Sequence, residues 1–130
     1  MKTLLIDAVD GLVIPCEGGF KIFAEMHDLL ESFPNRKIVV TNARSDSFAK
    51  FGLDKMPYEV FTLQQNPAKT EAKYFETLLQ HFRLNSREAV YFEHNPEAVR
   101  AAESVGIKSY YYDSKKRDFD SLKSFLVENL

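Results

Sequence analysis

An α/β fold with a parallel sheet covered by helices on both faces is predicted by two periodicities in the chain. Five short apolar runs recur along it, and the segments between them carry apolar residues at helical spacing. Size is a third constraint. A chain of 130 residues, 45% hydrophobic and 28% charged, makes a single domain spanning positions 1–130, able to bury roughly two thirds of its unfolded surface without disulfides.

Thr3–Ile6 is the first run, and it ends on Asp7. Runs at Lys37–Val40, Glu59–Leu63, Ala89–Phe92 and Ile107–Tyr112 follow, and their continuous apolar character suits strands buried on both faces. Tyr110-Tyr111-Tyr112 reads as a strand end rather than a stacking platform for bases. The first helical segment carries Phe20, Phe23, Ala24, Met26, Leu29, Leu30 and Phe33 and is closed by Pro34-Asn35. The second carries Tyr74, Phe75, Leu78, Leu79 and Phe82. A third, with Val99, Ala102 and Val105, is opened by Asn95-Pro96 with Asn as N-cap and closed by Gly106. Phe119, Leu122, Phe125 and Leu126 mark the last. Strand and helix are expected to alternate throughout, with right-handed crossovers.

Composition narrows the function classes. Seventeen Lys and Arg against nineteen Asp and Glu give a net charge of -2, and the longest basic run is Lys115-Lys116-Arg117, so nucleic acid is not an expected partner. No apolar stretch approaches the ~20 residues that span a bilayer, and Met1–Ile6 runs straight into an aspartate, unlike a signal peptide. A membrane is therefore not an expected partner either, and with Cys16 alone no internal disulfide forms. The expectation is a reducing, cytoplasmic setting. Cys16 itself reads as a small apolar filler, and His27 and His81 as ordinary helix residues.

In open parallel sheets ligands bind beyond the carboxyl ends of the strands. The residues there are Asp7 after the first run, Thr41-Asn42 after the second, Lys69 before the second helical segment and Glu93-His94 after the fourth run. Two carboxylates, a hydroxyl with an amide, an ammonium and an imidazole thus converge on one rim. That inventory suits nucleophilic attack on a phosphoryl group, with Asp7 as nucleophile, Thr41 and Lys69 holding phosphate oxygens, and acidic residues holding a divalent cation. Each residue also has a plainer reading: Asp7 capping a turn, Thr41 capping a helix near Arg44, Lys69 solvated, or Glu93 pairing with it.

These segments resemble, in order and spacing, the motifs of the haloacid dehalogenase (HAD) superfamily of phosphatases and related hydrolases. Thr3-Leu4-Leu5-Ile6-Asp7 is similar to its first motif, Ile38-Val39-Val40-Thr41-Asn42-Ala43 to its second, Asn66-Pro67-Ala68-Lys69 to its lysine motif, and Val90-Tyr91-Phe92-Glu93-His94-Asn95-Pro96-Glu97 to its fourth. The resemblance implies a Rossmannoid three-layer sandwich with a five-stranded parallel sheet. Phosphate would be bound by Thr41, Asn42 and Lys69, and a divalent cation, magnesium in the family, by Asp7, the Val9 carbonyl, Glu93 and the His94 position. Positions 8–40 and 42–68 leave no room for the family's inserted cap domain. The rim of a capless member is open unless a partner subunit in an oligomer, or the Val13–Phe20 loop with Gly18-Gly19, covers it.

Three departures from the family fall close together. The first motif reads Asp7-Ala8-Val9, so the second aspartate, which in the family protonates the leaving group, is a valine. A general acid/base of that kind contributes typically about 100- to 10,000-fold in rate. Asp10, one residue further on, is the candidate substitute. His94 stands in place of a carboxylate that holds the metal, and imidazole suits magnesium poorly; Ala98 replaces a further polar anchor. The expected function is a phosphatase-type HAD-like homologue with an aspartate nucleophile and impaired or altered catalysis, a pseudoenzyme candidate acting on a phosphorylated small molecule or protein. Two alternatives remain open. One is a non-enzymatic module binding a phospho-ligand or a protein. The other is a metal-independent dehalogenase-type hydrolase, whose relatives also begin Asp-Ala but carry a cap. A receiver-like domain is disfavoured, because Thr62-Leu63-Gln64-Gln65 follows Phe61 without the required aspartate.

Overall fold

A computed structural model describes all 130 residues. Five strands, β1 (Thr3–Asp7), β4 (Lys37–Thr41), β5 (Glu59–Thr62), β6 (Ala89–Glu93) and β7 (Lys108–Tyr111), form one sheet, all of whose pairings are parallel. Their order across the sheet is β5-β4-β1-β6-β7. All five residues of β1 are buried because they have neighbours on both faces. Leu4 and Ile6 pack with Met26 and Leu30 of α1 (Ala24–Glu31) and Leu122 and Leu126 of α4 (Phe119–Asn129). Leu5 packs on the other side with Tyr74, Phe75 and Leu78 of α2 (Ala72–Phe82) and Ala101 and Ala102 of α3 (Pro96–Ser104). The expected three-layer α/β sandwich is observed, and each buried Leu or Ile in it contributes about 1.5–3 kcal/mol of transfer free energy.

Local signals place the helix ends. The Asn95 side chain accepts from the Glu97 N–H at 3.0 Å with Pro96 at the first helical position, so α3 starts where the N-cap motif indicates. Gly106 follows its C-terminus with φ of 90°.

Two expectations are corrected. Val13–Phe20 is not a loop and Phe20 does not begin a helix, because β2 (Val13–Cys16) and β3 (Gly19–Ile22) form an antiparallel hairpin. Gly18 and Gly19, with φ of 85° and 148°, make its turn, a conformation that side chains disfavour. The Phe20 ring instead packs edge-on against Phe51, with centroids 5.1 Å apart. Secondly, strand and helix do not alternate throughout. The β4–β5 connection holds only two short 3-10 turns, Ser45–Ser47 and Leu53–Lys55. Ser45, Asp46 and Ser47 have side chains that compete for backbone partners, which favours turns over a continuous helix.

The register aligns the site. Asp7 lies opposite Val40 and Ile6 opposite Phe92, so Asp7, Thr41 and Glu93 finish their strands at one edge of the sheet. Neither the stretch between β1 and β4 nor that between β4 and β5 carries an inserted domain. No helix is long and apolar enough to cross a membrane.

Candidate functional site

Asp7 ends β1 with 1% of its surface exposed, and the chain then turns tightly over it. Leu12 N–H donates to the Asp7 carbonyl at 3.0 Å, and Val13 N–H donates to Ala8 at 2.9 Å. Gly11 makes this turn attainable, since a Cβ there would lie 2.3 Å from the Asp7 carbonyl oxygen.

Lys69 comes from the loop after β5, where its N–H donates to the Asn42 side-chain oxygen at 2.7 Å. Its ammonium donates to Asp7 Oδ1 at 3.0 Å and to Glu93 Oε1 at 2.8 Å. Glu93, fully buried at the end of β6, also accepts from the Tyr91 hydroxyl through Oε1 and from the Asn95 N–H at 3.0 Å through Oε2. His94 closes the cluster. Its N–H donates to Asp7 Oδ2 at 3.1 Å, its ring Nδ1 hydrogen-bonds that same oxygen and lies 3.2 Å from Glu93 Oε2, and its Nε2 is 3.7 Å from Asp10 Oδ2.

Charge follows from these contacts. Hydrogen bonds donated to Asp7 and then Glu93 raise the His94 imidazole from 6.5 to about 10, so it is a cation at neutral pH. Burial disfavours a charged Lys69, but the carboxylates of Asp7 and Glu93 outweigh it and hold the ammonium protonated. Glu93 is likewise burdened by burial, yet Lys69 and His94 keep its carboxyl below the ordinary range. Asp7 goes the other way: burial and the neighbouring Glu93 charge push it up against the pull of Lys69 and His94. Two anions are thus matched by two cations from the same chain.

A pocket of about 310 Å³ opens above this cluster. Asp7, Val9, Thr41, Asn42, Lys69, Glu93 and His94, the residues singled out from the sequence, all line it. Asp10 does not line it. Its φ of 69° turns it out of the β1 line, and its half-exposed carboxyl stands at His94 Nε2 rather than where Val9 is. Thr41 has the capping-type contact as well, accepting through Oγ1 from the Ala43 N–H at 3.0 Å, although only the Ser45–Ser47 turn follows it.

Sequence reasoning missed several contributors. The Tyr74 hydroxyl, on α2, donates to the Thr41 carbonyl at 2.9 Å and accepts from the Thr41 N–H at 3.2 Å, so it sets the height of that residue. Tyr91 supports Glu93 from two positions earlier on the same strand face, a spacing visible in the sequence once β6 is placed. Ala43, Phe51, Gln65 and Asn95 complete the lining. Nothing local in the sequence marks Phe51, which reaches the pocket through the β4–β5 connection.

Asp7, Glu93 and His94 offer ligand atoms within 4.8 Å of one another, a separation that suits one divalent cation. The donor chemistry does not suit magnesium, which demands oxygen ligands in near-octahedral array. One of the three ligands is a nitrogen already committed to Asp7, and each carboxylate oxygen already accepts from Lys69, His94, Tyr91 or Asn95. The Ala98 position, now a buried methyl in α3, supplies no further polar anchor. A borderline transition metal, which tolerates mixed nitrogen and oxygen donors, fits these residues better.

An enzyme of the HAD family from Bacteroides thetaiotaomicron, crystallised as an Asp-to-Ala variant with magnesium and inorganic phosphate, superposes with a TM-score of 0.72. It matches 94% of this chain and 98% of its own, at 13% identity. The fold is HAD-like. The HAD-like core also recurs in a HAD-superfamily hydrolase of subfamily IA from Geobacter sulfurreducens (TM-score 0.56, 20% identity, 72% of this chain and 47% of that one). A conserved HAD-like protein of unknown function from Agrobacterium tumefaciens gives 0.58 at 16% identity, over 81% of this chain and 55% of its own. The chain spans 61% of a Lactobacillus plantarum protein assigned as a phosphoglycolate phosphatase and about half of the Geobacter hydrolase. No family model and no curated protein matches the sequence.

Proposed function

We propose that this HAD-like core binds phosphate-type anions of small organic phosphates at the Asp7–Thr41–Lys69 rim, and that the magnesium-dependent hydrolysis typical of its fold is impaired. One observation carries this reading: Asp7 and Glu93, the acids that would hold the cation, are neutralised from within by Lys69 and His94. An incoming anion then meets the Lys69 ammonium, the Thr41 hydroxyl and the Val9 N–H as donors, the neighbouring Ala8, Asp10 and Gly11 N–H groups being spent on backbone carbonyls. As a nucleophile Asp7 is held back, because both its oxygens are engaged by Lys69 and His94. At Val9 no group can deliver a proton to a leaving alcohol.

Inorganic phosphate titrated in the presence of a chelator, and followed by amide chemical shifts, tests the binding half. The amides of residues 8–11, Thr41 and Lys69 should move first, with a Kd on the order of millimolar. Turnover of a small phosphate ester tests the other half. With magnesium it should stay near background for the unmodified protein and for V9D and H94D singly, and rise far above the product of the single effects in the double variant. D7N on that background should abolish the gain. Ordinary enzymatic rates from the unmodified protein, or anion-responsive amides elsewhere on the surface, would overturn the reading.

A further inference from the structure

The pocket is divided chemically. Its floor holds the charged cluster, whereas its three apolar lining residues are Val9, Ala43 and Phe51. Phe51 is a fixed part of that lining: it stacks edge-on with Phe20 of the hairpin, and Leu53, two residues on, is 98% buried in the core. Gln64 ties the same connection to the Lys69 loop, its side-chain oxygen accepting from the Ser45 N–H and hydroxyl at 3.1 Å each. The Lys50 ammonium, 5.4 Å from the Phe51 ring centre, adds a cation beside that ring.

We infer that the site selects organic phosphates whose organic part is a planar apolar group, an aryl phosphate monoester, with the phosphate at Lys69 and Thr41 and the ring against Phe51 and Val9. This rests on the anion-binding reading above. The volume of about 310 Å³ suits a small molecule of that size. Sugar hydroxyls directed at Val9, Ala43 and the Phe51 ring would find no partner on that side of the pocket, whereas a phenyl ring buries against it. The Val9 side chain then does more than leave out a carboxyl: it supplies apolar wall next to the phosphate position.

Phenylphosphonate, methylphosphonate and inorganic phosphate, none of which the site can hydrolyse at a carbon–phosphorus or free phosphate group, are the probes. Binding is measured by amide shifts on the full chain. Phenylphosphonate should bind about tenfold more tightly than methylphosphonate, as expected for burying roughly half a phenyl ring. Phe51→Ala should cut that preference to about twofold or less. Phe51→Leu, which keeps apolar contact with Phe20 and so guards against loss of the fold, should lower the preference to an intermediate value. Equal affinity for the two phosphonates, or a preference indifferent to Phe51, overturns the inference while phosphate binding leaves the anion site standing. Binding of none of the three probes overturns both.

Discussion

His94 is flanked by carboxylates: Asp7 and Glu93 at Nδ1 and Asp10 at Nε2. Its folded pKa, raised to about 10 by the bonds to Asp7 and Glu93, lies above the unfolded value of 6.5. The stabilisation it brings is therefore fully present below about pH 6.5 and lost as pH rises through 10, because in that window the folded chain holds a proton that the unfolded chain has released. The difference in unfolding free energy between the unmodified protein and H94Q, measured in urea, should be largest near pH 6 and should shrink steadily toward pH 10. A gap that does not change over that range would mean that His94 is neutral in the folded state. Glu93 has the opposite sense: its lowered pKa contributes stability above about 4.5 that disappears as pH falls, so acid should loosen the site from the other side.

Tyr74 connects a helix to two strand ends. From α2 its hydroxyl holds both backbone groups of Thr41 on β4 and lies 3.2 Å from the Phe61 carbonyl on β5. Tyr74→Phe keeps the ring packing and removes only this oxygen, so it should cost about 1–3 kcal/mol, the range for leaving buried backbone groups short of a partner. The chemical shifts of Thr41 and Asn42 should move with it, and phosphate affinity should fall. A Tyr74→Phe protein of unchanged stability would show that water replaces the hydroxyl. Elements also mark where sequence reading stops. Helix α3 is legible because Asn95, Pro96 and Gly106 punctuate it, whereas Phe20 stands at helical spacing from Phe23 and Ala24 by accident and belongs to a hairpin whose signal was the Gly18-Gly19 pair. The β4–β5 connection offers no period at all, so the position of Phe51 follows from its local turn bond to Phe48 and its packing on Phe20 and the core beneath.

The strand order β5-β4-β1-β6-β7 puts β1 at the centre, and the chain leaves it toward β4 first and reaches β6 on its other side later. Asp7 and Glu93 straddle the crevice where the direction changes, the place at which parallel sheets form binding sites. This is why the residues after the first, second and fourth apolar runs come together at one end of the sheet, whereas Lys69 reaches them from the loop after β5. The pairing of Glu93 with Lys69 is among the plainer readings of the sequence, but the neutralisation of Asp7 is not legible there, since it depends on the side chain of His94 turning back onto it and on the depth at which Lys69 is buried. The molecule contains six tyrosines and no tryptophan. Its near-ultraviolet emission is therefore tyrosine emission, unmasked by indole, and one of those phenols, Tyr91, is hydrogen-bonded to the site carboxylate Glu93. A carboxylate acceptor in contact with a phenol draws on its excited-state proton and dims it. Any ligand that pulls Glu93 toward a new partner should brighten Tyr91, so occupancy of the pocket should be readable in a cuvette without a label, and Tyr91→Phe should remove the response.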